Sequence, residues 1–369
     1  MPKFKIGHRW VGDGEPTYFI ADISANHDGQ LERALRLIHL AKEAGADGAK
    51  FQHFRAPKIV SRYGFEAMGQ RLSHQASWKK SVYEVYQDAS LPWEWTPRLK
   101  AACDEVGIDF FSAPYDLKAV DMLDPYVPVW KIGSGDITWP EILEKIASKG
   151  QPVILATGAS TMQDVERAVR VLLGCNPNLV LMQCNTNYTG SPENFSHLHL
   201  NVLKSYREAF PTVVMGLSDH TPGHAAVLGA VALGARVVEK HFTDDTGRAG
   251  PDHAFSMTPA AWKEMVARTK ELERSLGKTE KFVAGNEQES VVVQRRCLRA
   301  ARDLAVDHVL TRKDIEPLRP APLDSIPPYR VEELLGCVVR TPMQAGEHFT
   351  WQRLELKRRP SFSGIGRET

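Results

Sequence analysis

Gly216-Leu-Ser-Asp-His-Thr-Pro222 and Arg236-Val-Val-Glu-Lys-His-Phe-Thr243 bracket a segment, Gly223 to Ala235, that apart from His224 contains only alanine, valine, leucine and glycine. The first stretch follows the apolar run Thr212-Val-Val-Met215. The pattern reads strand, helix, strand, and each strand ends in a polar cluster that holds a histidine, His220 or His241. Parallel strands joined by a short helix are usually neighbours. At a strand spacing of about 4.8 Å, two imidazoles at equivalent strand ends can reach one metal ion at roughly 2.1 Å each.

The same alternation runs outward from this stretch. Further strands are expected at 17–24, 48–54, 109–114, 127–134, 152–157 and 179–184. Helices are expected at 31–44 with Gly45 as the stop, at 93–106, from Asp116, from Trp139-Pro140, from Ser160-Thr161, at 201–209 and at 259–276. A long excursion, about 55–91, breaks the rhythm, and its length suggests a loop over a site. Eight strand–helix units over about 260 residues match a (β/α)8 TIM barrel. A doubly wound open sheet is the alternative, and it gives no reason for an eightfold rhythm. The expected organisation is a barrel over 1–277, a polar linker over 278–296, a small unit over 297–356 and a disordered polar tail over 357–369.

Net charge is +1, so neither nucleic acid nor an anionic membrane is expected as a partner. No apolar run approaches the ~20 residues of a membrane span. The N-terminal Met1-Pro-Lys-Phe-Lys-Ile lacks the apolar core of a signal peptide. The five cysteines are scattered and form no CxxC pair, as expected of free thiols in a cytoplasmic protein.

Barrel enzymes keep their chemistry at the C-terminal ends of the strands. The polar residues expected there are Asp22, Lys50, Gln52, Lys131, Ser134, Asp136, Asn185, Tyr188, Ser218, Asp219, His220, Glu239 and His241. A charge inside an apolar strand is costly unless it is paired or used. Lys50 and Lys131 both sit in such runs, and two inward lysines suit a multiply charged anion such as phosphate or carboxylate. The Gly133-Ser-Gly135 turn could add backbone N–H donors to that anion. Taken singly, each residue has an ordinary reading, a half-exposed strand lysine or a structural histidine. Asp28-Gly29 reads as turn chemistry. Convergence on one rim favours a catalytic site.

These stretches resemble the sialic acid synthase family, the N-acetylneuraminate synthases and related nonulosonic acid synthases. The matching pieces are Asn26-His27, Gly45-Ala-Asp-Gly-Ala-Lys-Phe-Gln52, Lys131-Ile-Gly-Ser-Gly135, Gly216-Leu-Ser-Asp-His-Thr221, Glu239-Lys-His-Phe-Thr243, Gly250-Pro-Asp252 and Arg319-Pro320. The resemblance spans about residues 15–356. It makes 297–356 look like the small antifreeze-like (SAF) domain that follows the barrel in this family.

The resemblance implies condensation of phosphoenolpyruvate with an N-acylated aldose of the N-acetylmannosamine type, giving a nine-carbon ulosonic acid and phosphate. It implies a divalent metal, Mn²⁺ foremost or Mg²⁺. By position, His220 and His241 would hold the metal. Lys50, Lys131, Ser134 and Ser218 would hold phosphoenolpyruvate. Gln52, Asn185, Tyr188 and Asp252 would contact the sugar. Arg319 would do so in the partner subunit of a domain-swapped homodimer. Asp22, Asp136 and Glu239 would be the catalytic carboxylates, stabilising positive charge at carbon 2 once carbon 3 has attacked the aldehyde.

The chain departs from the family pattern at Asp22, where Glu is usual, and at Ala113 and Ala156, where Thr or Ser is usual. It departs also in the run Thr186–Ser191 and after Arg319-Pro320. The altered loop after strand six points to a legionaminic- or pseudaminic-type sugar as the alternative. A synthase acting on a phosphorylated aldose is a further alternative, against which the C-terminal unit argues. A non-catalytic glycan-binding barrel is the last, against which the lysines, histidines and carboxylates argue.

Overall fold

The computed structural model describes residues 2–69, 75, 76 and 78–356; the expected tail lies outside them. The chain begins with a hairpin that its short, mixed sequence does not announce: β1 (Lys3–Ile6) paired antiparallel with β2 (Arg9–Gly12). Eight parallel strands follow: β3 (Tyr18–Asp22), β4 (Gly48–His53), β5 (Asp109–Pro114), β6 (Trp130–Ile132), β7 (Val153–Ala156), β8 (Leu179–Cys184), β9 (Val214–Asp219) and β10 (Val237–His241). Their order in the sheet is β5-β4-β3-β10-β9-β8-β7-β6. β3 pairs with both β4 and β10, which ties the first strand of the alternation to the last. An open doubly wound sheet has no such bond. β5 and β6 lie side by side at the remaining seam, so the sheet is the expected (β/α)8 barrel.

Every residue of β3, β8, β9 and β10 is buried. That is the pattern of parallel strands covered by helices outside and filled by side chains inside. The helices begin where local chemistry dictates. Thr161 opens Met162–Cys175 with a capping box, its hydroxyl accepting from the Asp164 amide while the Asp164 carboxylate accepts from the Thr161 amide at 2.9 Å. Asp116 caps Leu117–Leu123 through two backbone amides. Helix Pro259–Leu276 closes the ring by setting Trp262 edge-on against Phe242, with ring centres 5.5 Å apart.

β9 runs four residues beyond the apolar run Thr212–Met215. Of the polar cluster expected at the end of this strand, Gly216-Leu-Ser-Asp219 belongs to the strand itself. A Cβ on Gly216 would stand 2.9 Å from the Val237 carbonyl oxygen and 3.0 Å from Met182 Cγ. Gly216→Ala is therefore expected to force β9 and β10 apart and cost about 1–3 kcal/mol. Calorimetry should find Tm lowered by several degrees, and an unchanged Tm would refute this close approach.

Among the described residues, the excursion after β4 includes the short α-helices Ala56–Ile59, Arg62–Ala67 and Val82–Ala89. They gather around Ala56, Val60 and Val82, with Ile59, Trp78 and Tyr86 packed against them.

The chain divides into two compact units, Met1–Gly277 and Lys278–Thr369. In the second, the stretch expected as a polar linker contains a helix, Gln288–Gln294, whose residues are all at least partly exposed and so leave no apolar period to read. Two antiparallel pairs, β11 (Cys297–Ala300) with β12 (Ile315–Leu318) and β13 (Val338–Val339) with β14 (Leu354–Glu355), enclose a separate core that includes Leu298, Leu310, Ile315, Leu334 and Phe349. Among the described residues, no helix is long and apolar enough to cross a membrane.

Candidate active site

Strand register assembles the site. His241 on β10 is level with Asp22 on β3, and Asp22 is level with Lys50 on β4. Glu239 is level with Ser218 on β9. The Lys50 ammonium donates to Asp22 Oδ2 at 2.6 Å and lies 3.7 Å from Glu239 Oε2. Lys131 approaches the other Glu239 oxygen at 3.3 Å, and Ser218 donates to that oxygen at 3.1 Å. Gln52 donates to Asp22 Oδ2 at 3.1 Å. Two lysines and two carboxylates thus form one buried cluster, none of the four side chains more than 5% exposed.

Such burial is tolerable only because the charges meet. Burial pushes the Glu239 carboxyl up, but Lys131, then Lys50 and His241, outweigh it and hold the pKa at about 2. Burial likewise works against the charged form of Lys50, and Asp22 and Glu239 reverse it, so its pKa is raised. Asp22 Oδ1 and Glu239 Oε2 are buried with no hydrogen-bond donor. Those two oxygens have acceptor capacity left for a bound molecule or water.

A cavity of about 350 Å³ adjoins the cluster. Of the residues expected from sequence, Gln52, Ser134, Asp136, Tyr188, His241 and Asp252 line it. Gln52 and His241 connect it to Asp22, His241 Nε2 being 3.5 Å from Asp22 Oδ2. A larger void, about 690 Å³, opens at the other end of the barrel beside Tyr18, Asp47 and Asp109. It lies at strand beginnings, where barrels keep residues for stability rather than catalysis.

Ser134 sits in the 3₁₀ turn Ser134–Asp136 after β6, and its hydroxyl accepts from the Gly158 amide at 2.9 Å. Asn185 is not part of the cavity lining. Its side chain donates to the His197 carbonyl at 3.2 Å, and its own carbonyl accepts from His220 Nδ1 at 2.8 Å. The Tyr188 ring stands 4.4 Å from the ring of His220. Asp252 accepts from the Ser24 hydroxyl at 2.5 Å and from the Ala25 amide at 3.3 Å. Arg319 follows β12 in the second unit and is exposed. Ala113 stands beside Gln52 in the ladder, and Ala156 ends β7. Thr157 does not replace the hydroxyl missing at Ala156, since its own hydroxyl donates to the Met182 carbonyl at 2.8 Å.

Sequence reading missed Ser24, Tyr86, Trp78 and Tyr115, all of which line the cavity. Ser24 follows β3 and was within reach of the strand-end rule; its φ of +48° is a left-handed conformation that non-glycine residues rarely adopt. Trp78 and Tyr86 arrive from the excursion and carry no local signal. Asp28 is more than turn chemistry. It accepts from His253 Nε2 at 2.9 Å, and His253 Nδ1 meets the Thr243 hydroxyl at 2.7 Å. This bridge fastens the loop after β3 to the loop that carries Asp252.

His220 and His241 are the two imidazoles that could hold a metal ion. The His220 and His241 rings lie 5.4 Å apart. A carbonyl can only accept, so His220 Nδ1 must carry the proton and Nε2 is left with its lone pair. Burial, then His241, hold the His220 pKa down to about 3, which keeps the ring neutral. His241 Nδ1 is buried with no hydrogen-bond partner. Among the described residues, no group of three or more His, Cys, Asp or Glu side chains is arranged around a metal position. Two imidazoles could hold a metal ion only with further ligands from outside this set.

Burial, opposed by Lys131, raises the Asp136 carboxyl from 3.8 to about 6. A carboxyl raised in the folded state takes up protons more readily there than in the unfolded chain. Its contribution to stability therefore falls as pH rises from about 4 to 6 and stays low above that. Asp136→Asn is expected to leave stability unchanged near pH 4 and to raise it by about 1–2 kcal/mol at pH 8, allowing for partial solvation in the cavity. Urea titrations at the two pH values check this; an equal effect at both would contradict it.

The sequence profile of the NeuB family matches residues 37–281, and that of the SAF domain matches 295–355. The chain belongs to the NeuB family. It is 36% identical over 270 residues to the human N-acetylneuraminate-9-phosphate synthase, covering 73% of this chain and 74% of the relative. It is 34% identical over 324 residues to the N,N'-diacetyllegionaminic acid synthase of Campylobacter jejuni, covering 87% and 95%. Among solved structures it superposes on the N-acetylneuraminic acid synthetase of Leptospira borgpetersenii with a TM-score of 0.69 and 27% identity, over 78% of this chain and 95% of that one. These relatives are synthases, and this NeuB-family protein is an enzyme.

Proposed function

We propose that this NeuB-family enzyme condenses phosphoenolpyruvate with an N-acylated aldose of the N-acetylmannosamine type, giving a nine-carbon ulosonic acid and inorganic phosphate. The observation that carries the reading is Lys50 and Lys131, two buried ammonium groups that both face Glu239 beside a polar cavity. Such a pair suits a small, multiply charged anion, and Ser134 and Ser218 are close enough to add hydroxyl donors.

In this reading carbon 3 of the enol attacks the aldehyde, and positive charge develops at carbon 2. Glu239, ionised throughout the physiological range, would stabilise that charge, with Asp22 held beside it by Lys50 and Gln52. Asp136, titrating near pH 6, would give or take a proton as water adds and phosphate leaves. The two lysines would neutralise the departing phosphate. His220 and His241 would hold Mn²⁺ or Mg²⁺, which supplies Lewis-acid polarisation of the aldehyde when bound. Gln52, Tyr188 and Asp252 would orient the sugar, with Asn185 acting by holding His220.

Arg319 would contact the sugar's acyl group in the partner subunit of a domain-swapped homodimer; a monomer by light scattering would contradict that part. All five cysteines are free, in keeping with a cytoplasmic enzyme. The test is phosphate release from phosphoenolpyruvate with Mn²⁺ and a panel of free and phosphorylated aldoses. Release that requires an N-acylated aldose supports the reading. No release with any of them would sink it.

A further inference from the structure

Two charged residues of the barrel wall have no task in the proposed reaction. Asp219 ends β9, and Lys240 lies level with it on β10. Side chains alternate along a strand, and Glu239 and His241 both face the barrel interior. Lys240, between them, points to the opposite face. Asp219, expected from sequence on the rim, meets it there. Neither residue lines the cavity. Their side chains are 1% and 0% exposed, and the helix that joins the two strands, Ala225–Ala232, has no polar side chain to share the charge.

An ion pair buried this completely is a poor device for stability. Desolvation of both charges offsets most of the attraction, and an apolar pair of similar volume is often as stable or more so. What this pair does supply is geometry. The Lys240 ammonium donates to Asp219 Oδ2 and, at 2.6 Å, to the Thr221 carbonyl. Asp219 Oδ1 accepts from the Thr221 amide at 2.9 Å and from the Thr221 hydroxyl at 2.8 Å. Each of these bonds ends on a residue adjoining His220. Bonds to ionised groups are the stronger kind, so the chain on both sides of His220 is tied to β10. Only the side-chain torsions of His220 remain. They are taken up by donation from Nδ1 to the Asn185 carbonyl at 2.8 Å and by the Tyr188 ring, 4.4 Å from the imidazole.

We infer that Asp219 and Lys240 are positioning residues for His220, a latch on the outer face of the barrel wall that aims the imidazole into the site. β10 thus serves both faces, with Glu239 and His241 inside and Lys240 outside. The purpose of the latch rests on the part given to His220 in the condensation; its existence does not.

The test replaces the pair by an apolar one of similar volume, Asp219→Leu with Lys240→Met. In protein labelled with ¹⁵N-histidine, the Nδ1 proton of His220 is assigned by its absence from His220→Ala. In the double variant that signal is expected to be lost to exchange with solvent, while Tm stays within a few degrees of the parent. With phosphoenolpyruvate, Mn²⁺ and an N-acylated aldose, kcat should fall about tenfold to a hundredfold, and the KM of phosphoenolpyruvate should be unchanged. An undisturbed His220 signal overturns the inference whatever kcat does. A Tm lowered by about ten degrees or more would make the pair a stability element and overturns it as well. Loss of the signal with full kcat would uphold the latch and remove His220 from the condensation. If no aldose is turned over, the condensation reading falls, and the signal and Tm still decide this inference.

Discussion

His220→Ala and His241→Ala are each expected to lower kcat by about a thousandfold or more. A Lewis acid at the developing alkoxide contributes several kcal/mol, and each 1.4 kcal/mol is a factor of about ten. The same variants should lose the thermal stabilisation that Mn²⁺ gives the parent enzyme, about 2.7 kcal/mol at a hundred times Kd. The second readout matters because it needs no substrate. The two rings already lie 5.4 Å apart, and His220 is held neutral with its Nδ1 proton committed to the Asn185 carbonyl. Full activity, or an undiminished Mn²⁺ effect on Tm, in either variant would refute the assignment.

Glu239→Gln should be the most damaging single change to stability within the barrel. It leaves Lys50 and Lys131, both 3% exposed, facing a neutral amide. Breaking a buried ion pair in this way costs about 3–5 kcal/mol. The effect carries a pH signature. The Glu239 carboxyl is depressed from 4.5 to about 2 in the folded protein. Its contribution is therefore fully present above about pH 4.5 and is lost as pH falls toward 2. Urea unfolding should show the largest gap between variant and parent at pH 7, narrowing by pH 3. Asp22 remains to hold Lys50 at 2.6 Å, so the variant is expected to fold, with activity severely reduced. A gap that stays constant with pH would mean that the charge of Glu239 is not what stabilises the cluster.

Much of the barrel was legible because buried parallel strands are apolar runs and the helices between them carry ordinary start and stop residues. Charges inside those runs betrayed the rim: Lys50, Lys131 and Glu239 stand out because nothing but a partner or a ligand makes them tolerable there. What stayed hidden has physical reasons. β9 ends in Gly216-Leu-Ser-Asp219, where close packing demands a glycine and the rim demands polar groups, so its apolar residues do not mark how far the strand runs. The hairpin β1–β2 is four residues a side, too short for a period to register. Helix Gln288–Gln294 has no buried face, so its pattern is that of a linker. Trp78 and Tyr86 reach the cavity only through the tertiary path of the excursion, and no local rule connects them with Gln52 or Asp252. The His253 bridge from Asp28 to Thr243 spans more than 200 residues and is likewise a product of ring closure.

In the proposed condensation the three carbons of phosphoenolpyruvate become part of the sugar acid. Mass spectrometry of a reaction containing uniformly ¹³C-labelled phosphoenolpyruvate, Mn²⁺ and an N-acylated aldose tests this most directly. The expected product is heavier than the aldose by the whole labelled three-carbon unit and forms one for one with inorganic phosphate, with no phosphate when the aldose is omitted. Phosphate released without the aldose, with the label recovered as pyruvate, would contradict it.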